Sequence, residues 1–241
     1  MKILITSGGT KIPIDSVRHI MNMSSGSFGS SIATTFLKNN WEVCFFKAKD
    51  SCSPFLVKLD LYKNDSKHLL NKFKESEFLK EQFYNNYKEI EFSTFIDYQS
   101  GIWELLENEN PDVVMLVAAV SDYGVIPAEG KVRSSNQLKI DLFPLPKIIK
   151  QIKQKFPKIK LIGFKLLVNS ADTELKEEIN KSIHNNHCDL VIGNDLFNIR
   201  SGRHKIIIGR PNNDFVTLET QDENKTALTD GIFSNVKDLF K

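Results

Sequence analysis

Eight apolar residues stand in an unbroken row at 113–120 (VVMLVAAV). A run of that length is far shorter than a membrane span and reads as a central parallel strand buried on both faces. Such a strand needs helices above and below it. The rest of the chain supplies them, because short β-rich runs alternate with longer segments of helical period. Strands are expected at 2–6 (KILIT), 42–47 and 89–95, with a helix from 26 or 27 to 38 and another over 96–108 capped by Thr94. Further on, a strand near 137–143, a helix at 146–156, a strand at 159–164, a helix at 172–186 and a strand at 188–193 follow in turn. The segments HKIIIG and DFVTL flank residues 210–214 as a hairpin, and a helix over 225–240 closes the chain. The pattern implies an α/β fold: a Rossmann-like, three-layer, mostly parallel sheet with a late β-hairpin. It is read as a single domain over 1–241, with about 60–90 as a variable, partly helical insertion.

Charge narrows the partners. Lys and Arg number 32 against 30 Asp and Glu, a formal net charge of +2, so no global field gathers nucleic acid or an anionic membrane, and neither is expected as a partner. Any anion site must be local. Cys44, Cys52 and Cys188 form no CxxC pair, and their odd number fits a reducing compartment better than a disulfide framework. The apolar run Ile3-Leu4-Ile5 is too short for a signal sequence, so a soluble, cytoplasmic protein is expected.

In open α/β sheets, ligands bind beyond the carboxyl ends of the strands, where strand order reverses. The residues at those ends are Ser7, Gly8, Gly9 and Thr10, then Ala118, Ala119 and Asp122, then Phe164 and Lys165, and Asn194 with Asp195. The connection at 7–25 is much longer than the usual two to six residues of a βα loop, which marks it as a first site candidate. It ends in Ser24, Gly26 and Gly29 at the start of a helix, where glycine-backed amides and the helix dipole suit a phosphate. The spacing matches neither GxGxxG nor GxxxxGK[ST]. Plainer readings stand beside these: Gly8 and Gly9 suit a tight turn, Asp122 a strand end, and Lys131 a solvated loop. His19, His68, His184, His187 and His204 have no metal-ligand spacing, and there is no Gly-x-Ser-x-Gly elbow. On the fold alone, a Rossmann-type oxidoreductase or a non-catalytic nucleotide-binding module would serve as alternatives.

Seven motifs in order carry a more specific signal. They are TSGGTKIPID from Thr6, Val17-Arg18, N-x-SSG-x-x-G from Asn22, AAVSDY from Ala118, K-x-x-SS from Lys131, Pro146-Lys147 with GFKL from Gly163, and Asn194-Asp195. Together they resemble the phosphopantothenate–cysteine ligase family (phosphopantothenoylcysteine synthetases), of the free-standing, eukaryotic-like type. The resemblance implies a ligase of coenzyme A biosynthesis that joins 4′-phosphopantothenate to cysteine through an acyl-nucleotidylate, with release of pyrophosphate. ATP is the expected co-substrate, CTP the alternative, and Mg²⁺ the accompanying ion, its ligands unassigned. The resemblance places Gly8, Ser24, Gly26 and Gly29 at the nucleotide phosphates and Phe164 and Asn194 at the nucleoside. Asn22, Ala118, Ala119 and Asp122 hold phosphopantothenate. Asn22 beside the acyl phosphate and Lys131 at the transition-state charge are the catalytic candidates, with Arg18 a further cation of unassigned role. It also implies a homodimer, with late strands such as 204–218 crossing to the partner, and a chain free of the flavin-dependent decarboxylase half. Two departures are visible: Leu167 stands where many members carry an acid, and Gly193 where many have Ala.

Overall fold

In the computed structural model, which describes residues 1–55, 66–133, 138–221 and 225–241, the alternation seen in the sequence becomes one dominant sheet. The elements run β1 (Lys2–Ser7), β2 (Lys11–Pro13), β3 (His19–Met21), α1 (Ser27–Lys38), β4 (Glu42–Ala48), α2 (Ser66–Phe83), β5 (Tyr87–Phe92), α3 (Phe95–Glu109) and β6 (Val113–Leu116). There follow β7 (Tyr123–Gly124), β8 (Phe143–Pro144), α4 (Ile149–Lys155), β9 (Lys160–Leu167), α5 (Asp172–Asn186), β10 (Leu190–Asp195), α6 (Leu196–Arg200), β11 (His204–Arg210), β12 (Asp214–Thr220) and α7 (Thr226–Lys237). The main sheet has eight strands in the order β12-β11-β10-β9-β6-β1-β4-β5. From β10 to β5 every neighbouring pair is parallel, while β11 and β12 add an antiparallel edge. Strand order therefore reverses between β1 and β6.

The period of two along each strand builds two cores. In β1, Ile3 and Ile5 face α1 and α7, meeting Ile32, Phe36, Leu228 and Ile232. Leu4 faces the other way, toward the layer of α3, α4 and α5 with Ile102, Leu106, Ile152 and Ile179. All eleven of these side chains are buried. Burial of each Ile, Leu or Phe contributes on the order of 1.5–3 kcal/mol, so the three layers follow from the alternation itself.

The fold class and most elements match the sequence reading, and the differences have local causes. The apolar run at 113–120 is a strand only as far as Leu116. Val113, Val114 and Met115 are fully buried, but beyond them the chain leaves the ladder because β1 ends at Ser7 and the next donors find other acceptors. The Ala118 amide donates to Thr6 Oγ1 (3.2 Å) and the Ala119 amide to the Gly8 carbonyl (2.8 Å). The long connection at 7–25 is not bare loop, since β2 and β3 pair antiparallel within it. Where a strand is expected near 137–143, residue 137 lies outside the described residues and β8 has only two residues, paired with β7. Of the stretch 60–90, residues 60–65 lie outside the described residues, Ser66–Phe83 forms α2, and 87–90 belong to β5 in the main sheet. Late in the chain, β11 pairs with β10 on one side and β12 on the other.

Candidate functional site

A cavity of about 410 Å³ opens at the carboxyl ends of β1, β6, β9 and β10, beside the point where strand order reverses. Ser24, Gly26 and Gly29 line one side of it, Ala118 and Ala119 the floor, and Phe164 and Asn194 the far side. Seven of the residues expected at the site are thus gathered around one space.

The wall made by α1 is shaped by close approach. Gly26 sits at φ +72° as the residue before the helix, a conformation a side chain disfavours. Its carbonyl accepts from the buried Ser7 hydroxyl (3.1 Å), which fixes the helix start onto the end of β1. A Cβ on Gly29 would lie 2.4 Å from that same hydroxyl. The first turn of α1 contains no acid and its N-cap makes no side-chain bond, so the partial positive charge of the terminus is not neutralised from within the helix.

The floor is held by hydroxyls. Ser121 donates its amide to Thr10 Oγ1 (2.9 Å), and the two hydroxyls lie 2.9 Å apart in a buried pair. With the Thr6 bond, they lock residues 118–121 onto the turn after β1. Gly9 permits the same convergence, because a Cβ there would stand 2.2 Å from the Asn22 carbonyl oxygen.

The remaining expected residues lie around this cavity and do not line it. Gly8, at φ +84°, is buried against Ala48 and Ser51 and accepts from the Ala119 amide. Asn22 is exposed and reaches the Ala119 carbonyl through Nδ2 (3.3 Å). Asp122 is exposed and paired with Lys147, while its carbonyl accepts from the Leu145 amide (2.9 Å). Lys131 is exposed on a segment tied to the turn between β2 and β3.

That turn centres on Asp15, whose side chain is fully buried. Its carboxylate accepts from the amides of Val17 (2.9 Å), Arg18 (2.7 Å) and Val132 (3.1 Å) and from the Arg18 guanidinium (3.0 Å). Those backbone donors, the Val17 amide foremost, hold the carboxyl below the ordinary carboxylate range.

Several lining residues lay outside the sequence reading. Lys205, His204 and Lys225 border the cavity from β11 and the start of α7, and Phe28 meets Phe164 edge-to-face at 6.3 Å. Lys165, which borders it too, pairs with Glu178 (3.0 Å), and Lys205 pairs with Asp172. In the sequence Lys205 and Lys225 are hidden among 32 Lys and Arg, and only the antiparallel return of β11 brings Lys205 to the crevice. Among the described residues no three of His, Cys, Asp and Glu converge as a metal cage.

The fold and crevice define an α/β protein of the Rossmann-like class with its ligand cavity at the strand-order switch. The family model for the DNA/pantothenate metabolism flavoprotein C-terminal domain matches residues 1–70 and 98–239, and the chain belongs to that family. A crystal structure of the DNA/pantothenate metabolism flavoprotein from Streptococcus pneumoniae superposes with a TM-score of 0.78 at 27% identity, covering 99% of both chains. The chain is 29% identical over 208 residues to the coenzyme A biosynthesis bifunctional protein of Thermococcus kodakarensis, a match covering 86% of this chain but only 44% of that relative. It is also 27% identical to the phosphopantothenate–cysteine ligase of Saccharomyces cerevisiae, over 90% of this chain and 71% of the yeast protein. The chain thus spans less than half of the archaeal relative and most of the yeast one.

Proposed function

We propose that the protein is a phosphopantothenate–cysteine ligase of coenzyme A biosynthesis. The observation that carries the reading is the single cavity into which Ser24, Gly26, Gly29, Ala118, Ala119, Phe164 and Asn194 converge, in a chain of this family. The carboxylate oxygen of 4′-phosphopantothenate attacks the α-phosphorus of the nucleotide, forming the acyl-nucleotidylate as the bond to pyrophosphate breaks. The cysteine amine then attacks the acyl carbon, and the nucleoside monophosphate leaves. Both steps crowd negative charge, which asks for preorganised donors and cations.

In this reading the phosphates meet Ser24 and the start of α1 at Gly26 and Gly29, with Gly8 supporting the turn beneath. The nucleoside meets Phe164 and Asn194. Ala118, Ala119 and Asp122 receive phosphopantothenate. Asn22 donates an amide hydrogen at the acyl phosphate without adding charge, and Lys131 balances the charge of the transition state. The additional cations Lys205 and Lys225 support the same assignment, because both line the cavity that would hold a triphosphate.

ATP is the proposed co-substrate. Magnesium binds through one or two carboxylates together with phosphates and water, so it asks for no dedicated cage and would arrive on the nucleotide. A homodimer is proposed as the working form, and the three free cysteines fit a cytoplasmic location.

The test incubates the purified protein with phosphopantothenate, cysteine, Mg²⁺ and either ATP or CTP, following pyrophosphate and product mass. Product with ATP above CTP is expected, and no pyrophosphate with either nucleotide would overturn the ligase reading. Light scattering on the same sample should return twice the mass of one chain.

A further inference from the structure

The Asp15 carboxylate divides its bonds between two pieces of chain. Oδ1 accepts from the Val17 and Arg18 amides, closing its own turn in the manner of an Asx motif. Oδ2 accepts from the Arg18 guanidinium and from the Val132 amide, 117 residues further along. Three more bonds run between the same two segments. The Ser16 amide donates to the Gly130 carbonyl (3.0 Å), the Ala128 amide to the Ile14 carbonyl (2.9 Å), and Arg18 to the Val132 carbonyl (3.2 Å). Val132 therefore has both its backbone amide and its carbonyl held by the pair Asp15–Arg18, and Gly130 is held from the other side. Lys131 lies between these two anchored residues.

A solvated loop charge needs no such holding. Ordering the backbone of one residue costs about 1–2 kcal/mol, and a flexible lysine would screen bulk charge equally well without it. A cation that must meet a developing charge gains from a backbone set beforehand, because a misplacement of about 1 Å from a change remote from the chemistry can cost 10²-fold in rate. We propose that Asp15 is a positioning residue that clamps the backbone on both sides of Lys131 through Val132. This deepens the ligase reading and rests on it for the link to catalysis.

Asp15→Asn separates the two halves of the clamp. Its single carbonyl oxygen can keep the Val17 and Arg18 amides, preserving the turn, while its NH₂ faces two donors where Oδ2 accepted them. Hydrogen exchange followed at single amides should show Val132 exchanging at least tenfold faster in the variant, with the amides of β1 and α1 unchanged. In turnover assays kcat should fall about tenfold or more, while affinity for a non-hydrolysable ATP analogue stays within twofold. In a Lys131→Ala background, Asp15→Asn should have little further effect on kcat, because the two changes remove one function. Arg18→Lys, which gives up the guanidinium geometry beside Val132, is the second variant and should move the same amide and kcat in the same direction.

Unchanged exchange at Val132 would overturn the clamp. Faster exchange with unchanged kcat in an active enzyme would overturn the positioning role. If the unmodified protein makes no product at all, the ligase reading fails on that assay alone. The clamp would then stand or fall on the exchange result.

Discussion

Gly26 concentrates the demands of the site on one atom that is absent. A Cβ there would lie 2.9 Å from both Ser51 Cβ and Ser7 Oγ, and the backbone at φ +72° disfavours any side chain by about 1–2 kcal/mol. Gly26→Ala should lower the melting temperature by several degrees and weaken ATP binding at least tenfold in calorimetry. Full affinity in a folded variant would remove the α1 terminus from the nucleotide site. Lys131→Ala should lower kcat about 10²-fold, the scale seen when one preorganised charge-stabilising donor is lost; an unchanged kcat would return Lys131 to an ordinary solvated charge. The glycines and alanines of the site were legible because strand-end position is itself a physical signal. Asp15 stood inside a motif without any role that its neighbours in sequence could suggest, since its partner Val132 lies 117 residues away. Lys205 and Lys225 were invisible for a different reason: their relevance depends on which way β11 and the start of α7 return to the sheet.

Among the elements, α3 shows how far a local pattern reaches. Thr94 caps it as its sequence position suggests: its hydroxyl accepts from the Asp97 amide (3.1 Å), and Asp97 Oδ2 accepts from the Thr94 amide (2.8 Å), a reciprocal box. Thr94→Ala should cost about 1 kcal/mol and lower the melting temperature by roughly 2–4 °C, read by calorimetry. No shift would mean that the Asp97 half of the box suffices. Helices and fully paired strands could be read from period and caps because their determinants are local. The end of β6 could not, because whether Val117 to Val120 extend the sheet depends on where β1 stops and on the Thr6 and Gly8 acceptors that take over the Ala118 and Ala119 donors. The ribbon of β2 and β3 escaped for the same reason. Lys11, Ile12 and Pro13 carry too little β signal alone, and their pairing with His19, Ile20 and Met21 is fixed by Asp15 closing the turn between them.

At the scale of the whole molecule, the core on one face of the sheet sets two of the protein's three thiols apart from a thiol in water. Cys44 and Cys188 are both buried in the core between the sheet and the layer of α3, α4 and α5. Burial pushes each thiol up to about 12, because the thiolate has no water to solvate it. In the unfolded chain the same groups ionise near 8.5. Between about pH 9 and 12 the folded state thus keeps protons that the unfolded state releases, so stability falls as pH rises through that window. Each thiol adds a slope of at most about 1.4 kcal/mol per pH unit. Denaturant unfolding of the protein and of Cys44→Ala/Cys188→Ala, compared at pH 8 and pH 10.5, should show the variant losing less stability over that interval, even though its cavities make it less stable at pH 8. Equal losses would mean that the buried thiols do not titrate with unfolding. Iodoacetamide at pH 8 gives an independent reading: Cys52, which is only half-buried, should be modified first, and Cys44 and Cys188 only as the fold opens.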